Sequence, residues 1–249
     1  MITSTTYDGR SAETLRTLLD VPRLALYDAV SSTLDVAHGL AAEGAPAGTL
    51  IVADQQHAGR GRHGRRWTSA PGAGIWLTLI ERPVDPAAVQ LLSLRLGLRA
   101  ARVLDRYASS PVRLKWPNDL YVGAGKLAGI LVESRWRDER IDWVAIGFGI
   151  NIRVPADIPG AAALEGTSDR AEVLAELVPA LRAATDARGL LGEHELAAFA
   201  ERDLARGRTC REPALGVVHG IDARGALIVR TAAGDVACTS GSLVLEEDA

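Results

Sequence analysis

The chain has 249 residues, 47% hydrophobic and 24% charged, with a formal net charge of −3. This balance excludes disordered, coiled-coil and collagen-like classes, and the length accommodates one large domain with a small one beside it. The slight acidity gives no global affinity for nucleic acid or an anionic membrane, so any anion site has to be local.

No stretch reaches the ~20 apolar residues that span a bilayer, and the first residues lack the basic and apolar regions of a secretion signal. The expected location is the cytoplasm, with Cys210 and Cys238 as free thiols. Leu15, Leu18 and Leu19 mark a short helix over residues 11–19, and residues 23–27 alternate as a strand. The short run before that strand leaves no room for a helix-turn-helix module. Ser31, Ser32 and Thr33 offer capping hydroxyls to a helix over 34–43, which Gly44 and Pro46 end. A strand is expected over 49–53, a loop over 54–67 and a strand over 74–80.

Asp85-Pro86 opens a helix whose leucine stripe runs to about Arg106. Residues 112–115 read as a strand, 116–119 as a turn, and 126–134 as a strand interrupted by Gly129. Residues 143–152 form another strand, with Val144, Ile146, Phe148, Ile150 and Ile152 on one face. Helices over 169–188 and 193–206 complete a large α+β domain with a mixed sheet, spanning residues 1–206. Short strands at 215–219, 226–230, 236–239 and 243–245, split by turn sequences, predict a small β-barrel domain over 207–249.

Two segments carry chemistry. Between His57 and Arg66 stand four arginines, two histidines and three glycines with no acidic residue. Concentrated like charge repels itself unless an anion sits inside it, and the planar guanidinium fork suits carboxylate or phosphate oxygens. Competing readings are a solvated basic loop, a nucleic-acid arm with sparse aromatics, and a dinucleotide fingerprint at Gly59, Gly61 and Gly64, which the absence of a following helix argues against. The second segment is Lys115-Trp116-Pro117-Asn118-Asp119-Leu120 with Gly125-Lys126-Leu127-Ala128-Gly129. If its two strands pair as a hairpin, both lysines face one region. Leu127 stands where a P-loop needs Ser or Thr, which excludes that motif. Asp119 is the candidate Mg²⁺ ligand beside a triphosphate, against the alternative of a plain Asn-Asp turn.

Together the segments resemble the biotin protein ligase family: the loop Gly59–Trp67 resembles its biotin-and-adenylate loop, and Lys115–Leu120 with Gly125–Leu131 its second signature. Ser32-Thr33 ahead of the first helix, Gly147-Phe148-Gly149-Ile150-Asn151 and the C-terminal barrel extend the resemblance over nearly the whole chain. It implies a short-form ligase without an N-terminal DNA-binding domain, with an SH3-like C-terminal domain. Its substrates would be biotin and ATP with Mg²⁺, and its partner a biotin carboxyl carrier domain of a carboxylase, not nucleic acid or membrane. A homodimer through a sheet edge is one arrangement the architecture allows.

By the same resemblance Ser32, Thr33, Gln56, Arg60, Gly61, Arg62 and Lys126 would contact biotin or its activated carboxylate. Arg65, Trp67, Lys115, Asn118, Asp119 and Asn151 would serve the nucleotide and its phosphates. Lys126, Lys115, Arg62 and Asp119 are the expected catalytic group. Leu34 stands where the family frequently carries asparagine and is left outside the site. Lipoate–protein ligation, a biotin-dependent repressor and a non-catalytic biotin-binding protein are the alternatives.

Overall fold

The computed structural model describes residues 1–83, 85–165 and 169–246. Three two-residue strands, β1 (Ile2–Thr3), β2 (Thr6–Tyr7) and β3 (Arg10–Ser11), lead into α1 (Ala12–Leu18). There follow β4 (Arg23–Val30), α2 (Thr33–Ala42), β5 (Thr49–Gln56) and β6 (Gly74–Glu81). After α3 (Pro86–Gln90) and α4 (Leu92–Leu104) come β7 (Arg113–Lys115), β8 (Asp119–Val122), β9 (Gly125–Arg137) and β10 (Arg140–Asn151). Two more helices, α5 (Arg170–Thr185) and α6 (Glu193–Arg202), precede β11 (Thr209–Glu212), β12 (Gly216–Ile221), β13 (Leu227–Thr231), β14 (Gly234–Cys238) and β15 (Val244–Leu245).

The first ten strands, apart from the β2–β3 pair, build one sheet in the order β1-β4-β5-β6-β10-β9-β8-β7. Its β4–β5 pair is parallel and the other described pairs are antiparallel, the mixed sheet expected. Strand alternation splits the core between its faces. Leu50 and Val52 of β5, with Val144, Ile146, Phe148 and Ile150 of β10, join the larger apolar cluster, which also takes in α1, α4 and α5. Ile51, Ala53, Trp143 and Ala145 point the other way, against Leu34, Ala37 and Ala41 of α2. The α2 face thins to glycine at Gly129, Gly147 and Gly149, and the site lies there.

β11 to β15 form a second, antiparallel sheet in the order β14-β13-β12-β11-β15. Its Cys210, Val218, Leu227, Val229 and Leu243 belong to the same apolar cluster as the large sheet, so the core is continuous across the expected boundary after residue 206. The Trp116 indole donates to the Gly225 carbonyl at 2.9 Å, which ties the turn before β8 to the C-terminal sheet. The expected range of that domain ends at 249, and its last three residues lie outside those described.

Several expectations need correction. The helix opening at Asp85 is two: α3 ends at Gln90, and Leu91 is both its C-cap and the N-cap of α4, although the leucine stripe continues across the break. Asp119 begins a strand rather than ending a turn, so β8 stands between β7 and β9, and Lys115 and Lys126 are not hairpin partners. Residues 209–212 form a strand not read from the sequence. Buried Arg95 of α4 meets Glu195 of α6 at 2.8 Å and also donates to the carbonyls of Gly189 and Leu190. Glu195→Ala leaves that buried cation without its counter-charge and is expected to cost about 2–3 kcal/mol, somewhat below a fully buried pair; thermal denaturation measures it.

Candidate active site

The segment after β5 is an ordered arm. It folds back as a hairpin through pairing of Gln56 with Ser69 and of Arg60 with Arg66, the Trp67 amide donating to the Gly59 carbonyl at 2.9 Å and the Gly61 amide to the Arg65 carbonyl at 2.8 Å. Its tip is a single 3₁₀ turn, Arg62–Gly64, where His63 and Gly64 have φ of 55° and 71°. That left-handed pair costs least with glycine as one member.

The arm covers a cavity of about 380 Å³ on the α2 face, with Ser32, Thr33 and Gln56 at its neutral polar side and Arg62, Lys115, Asp119 and Lys126 at its charged side. Arg60, Gly61, Arg65, Trp67, Asn118 and Asn151 line it too, so every residue expected at the site borders one cavity. At the neutral side the Ser32 hydroxyl caps α2 by accepting from the Leu34 amide at 3.3 Å. Gln56 Oε1 accepts from the Thr33 amide at 2.9 Å, and its Nε2 donates to Ser69 Oγ, also at 2.9 Å. Thr78 Oγ1 donates to Thr33 Oγ1 at 2.8 Å. These short, mutually bonded groups present fixed donors and acceptors without net charge.

At the charged side Lys126 Nζ lies 2.7 Å from Asp119 Oδ2 and 5.3 Å from the Trp67 ring centre. Burial pulls Lys115 below the usual lysine value against the opposing pull of Asp119, and burial likewise lowers Arg62. Its Nη1 donates to Asn118 Oδ1 at 3.3 Å, while Asn118 Nδ2 donates to the Ile130 carbonyl at 2.7 Å. Burial pushes Tyr121 up to about 12, which keeps its phenol protonated beside Lys115. Asn151 is buried, and its amide nitrogen donates to the carbonyls of Lys126 and Ala162, joining β9 to the wall over residues 158–161.

A family model described as the biotin/lipoate A/B protein ligase family matches residues 26–151. The chain belongs to this family. It is 40% identical over 147 residues to the bifunctional ligase/repressor BirA of Bacillus subtilis, a match covering 58% of this chain and 45% of that protein. The chain thus spans about half the length of that relative. It is 34% identical over 216 residues to the biotin–[acetyl-CoA-carboxylase] ligase of Paracoccus denitrificans, covering 78% of this chain and 88% of the relative. Among solved structures, the biotin protein ligase from Aquifex aeolicus in complex with biotin and ATP superposes with a TM-score of 0.74 at 26% identity, over 91% of this chain and all of that one.

Within this member of the family, the arginine cluster is balanced differently from what its local sequence suggests. Arg60 is held by the protein's own carboxylates, Nη2 lying 2.9 Å from Glu133 and 3.1 Å from Asp35, so no bound anion is needed to neutralise it. Neither acid was singled out in the sequence; Glu133 shares strand parity with Gly129 and Leu131, and that parity was the available signal. Leu34, set aside earlier, is in the lining and packs over Gly147. Ser242 and Leu243 of the C-terminal segment also reach the cavity, which nothing local in the sequence indicates.

Gly129 and Gly149 face each other across β9 and β10 and form the floor under Trp67. A Cβ on Gly149 would stand 2.6 Å from the indole nitrogen. Gly149→Ala therefore has to displace Trp67 or the strand, at about 1–3 kcal/mol as for other overpacked sites. The expected result is a lowered Tm; a variant that melts with wild type would show that the floor yields freely. Among the described residues no helix is long and apolar enough to cross a membrane.

Proposed function

We propose that the chain is an ATP-dependent biotin protein ligase, which forms biotinyl-5′-AMP and transfers the biotinyl group to one lysine of a biotin carboxyl carrier domain. The observation that carries this reading is the make-up of the cavity lining: a hydrogen-bonded set of uncharged hydroxyl and amide groups, and a second set with Lys115, Lys126 and Arg62, beneath one arm. A neutral urea-type ring matches the first set, with donors and acceptors for both its N–H and C=O groups. A carboxylate meeting a triphosphate needs the second.

In the first half-reaction a carboxylate oxygen attacks the α-phosphorus of ATP, the bond to the β-phosphate oxygen breaks, and pyrophosphate leaves. Lys126 and Lys115 offset the repulsion between the two anions, and Arg62 reaches the same region from the arm. In the second, a neutral lysine amine attacks the acyl carbon, AMP departs with the electron pair of the acyl–oxygen bond, and the amine proton goes to a nearby base. We assign that role to Asp119, whose contact with Lys126 also orients the ammonium. Arg65 and Trp67 border the nucleotide side, and Asn151 holds that wall.

Asp119 is the one carboxylate among the described lining residues, and no cluster of three metal-binding side chains occurs among the described residues. One carboxylate plus phosphate oxygens is an adequate donor set for Mg²⁺ accompanying a nucleotide, so the residues fit that ion. Asp119 would hold it, and it would supply further neutralisation of the phosphate oxygens. The free thiols Cys210 and Cys238 suit a reducing compartment, in keeping with a cytoplasmic enzyme.

The test is mass spectrometry of a purified carrier domain incubated with the protein, ATP, Mg²⁺ and either biotin or lipoate. One added biotinyl group on one lysine is expected. A lipoyl group instead would move the chain to the other branch of its family, and no modification with either acid would leave a binding protein.

A further inference from the structure

The hold on Arg60 extends beyond the carboxylates that touch it. Its guanidinium is bidentate on Glu133, Nη1 to Oε1 at 3.0 Å and Nη2 to Oε2 at 2.9 Å, and Nη2 also meets Asp35 of α2. The Nη1/Nη2 edge of its fork is thereby occupied, while the buried Nε–H has no partner. Behind Glu133 stands His38, whose Nε2 lies 2.8 Å from Glu133 Oε2. Behind His38, the Trp143 indole donates to His38 Nδ1 at 3.0 Å. An indole N–H is a donor only, so Nδ1 accepts, and the His38 proton is on Nε2 and points at Glu133. The chain Trp143–His38–Glu133–Arg60 thus runs from β10 through α2 and β9 into the stem of the arm, with a donor facing an acceptor at each of its three links.

Arg62 reaches Asn118, in the turn between β7 and β8. Two arginines separated by one glycine therefore fasten the arm at two separate points.

We propose that Trp143, His38 and Glu133 are positioning residues that fix Arg60 as the strut of the arm rather than as a ligand of the substrate acid, and so set how firmly the arm shuts over the acyl-adenylate. This rests on the ligase reading for its consequence, but the anchoring itself does not. The side chains involved are at most half-exposed, which makes the hydrogen bonds to charged groups stronger than surface ion pairs. Glu133→Gln keeps the shape but places an amide N–H₂ against the guanidinium or the imidazole, where only acceptors satisfy the donors. His38→Phe keeps the ring between Trp143 and β9 and removes the donor to Glu133.

The experiment has two readouts on wild type, Glu133→Gln, His38→Phe, Arg60→Ala and the Arg60→Ala/Glu133→Gln pair. The first is the rate of tryptic cleavage in the arginine-rich arm of the protein alone, with Tm measured alongside. Glu133→Gln is expected to speed cleavage about tenfold, the loss of one charge-assisted hydrogen bond, with His38→Phe smaller in the same direction and the double variant no worse than Arg60→Ala alone. The second is escape of biotinyl-5′-AMP, read as labelling of a bystander protein relative to the carrier domain, which should rise in the same order.

Cleavage rates equal to wild type in Glu133→Gln and His38→Phe, or additive effects in the double variant, overturn the proposal. So does an Arg60→Ala variant whose defect is a raised KM for biotin with arm cleavage unaltered. A wild type that forms no adenylate, with variants that still loosen the arm, leaves the strut standing and removes the ligase reading.

Discussion

Lys126→Gln is expected to lower the biotin-dependent exchange of pyrophosphate into ATP by about 10²–10³-fold, the usual cost of deleting one group that stabilises developing charge. Glutamine nearly preserves the length of the side chain but removes the ammonium that lies 2.7 Å from Asp119. The loss is compounded because Asp119, then uncompensated, presents negative charge to two incoming anions. At an effective dielectric near 20, a unit charge 4 Å away is worth about 4 kcal/mol, enough to account for the whole effect. Lys115 of β7 still lines the same cavity, so activity is not abolished. Since the Lys126 and Asp119 side chains are partly exposed, Tm should hardly move. A loss of less than tenfold in the variant would mean that another cation meets the reacting carboxylate.

The parts of the fold that were legible are those whose periodicity is local. β5, β6 and β10 read as strands because one face packs on α2 and the other on the main core, so each is a short apolar run, and Ser32 marks the start of α2 by capping chemistry. β8 was hidden because four residues between a turn and Gly123 carry too short a pattern, and its Asp119 reads equally well as turn chemistry. The break at Leu91 was hidden because leucines at 91, 92 and 94 keep the helical stripe in phase across it. At the site, the cations were visible as a cluster along the chain. Their partners were not: Glu133 is 73 residues from Arg60, and no spacing rule links a residue in an arm to a residue in the middle of a strand. The same limit hid Ser242 and Leu243, which approach the cavity only because the second sheet shares its core with the first.

Arg62→Gly is expected to separate the two half-reactions. Adenylate formation should persist, because the carboxylate and phosphates still meet Lys126 and Lys115, whereas retention of the adenylate should fail. Arg62 stands at the turn of the arm and makes its tie to the turn between β7 and β8, Nη1 donating to Asn118 Oδ1. Glycine removes that tie and adds backbone freedom at the tip, next to a pair of residues already in left-handed conformations. Losing one charge-assisted hydrogen bond shifts the closed-to-open ratio about 10–100-fold. An acyl phosphate that leaves the cavity acylates any neutral amine it encounters, so bystander lysines should become labelled in proportion to the escape. The measurement is the ratio of biotin on serum albumin to biotin on the carrier domain in one mixture, with adenylate released into solution followed by chromatography. A ratio equal to that of wild type would show that the arm is held shut from its stem alone, and that Arg60 with its carboxylates carries the closure that Arg62 was expected to share.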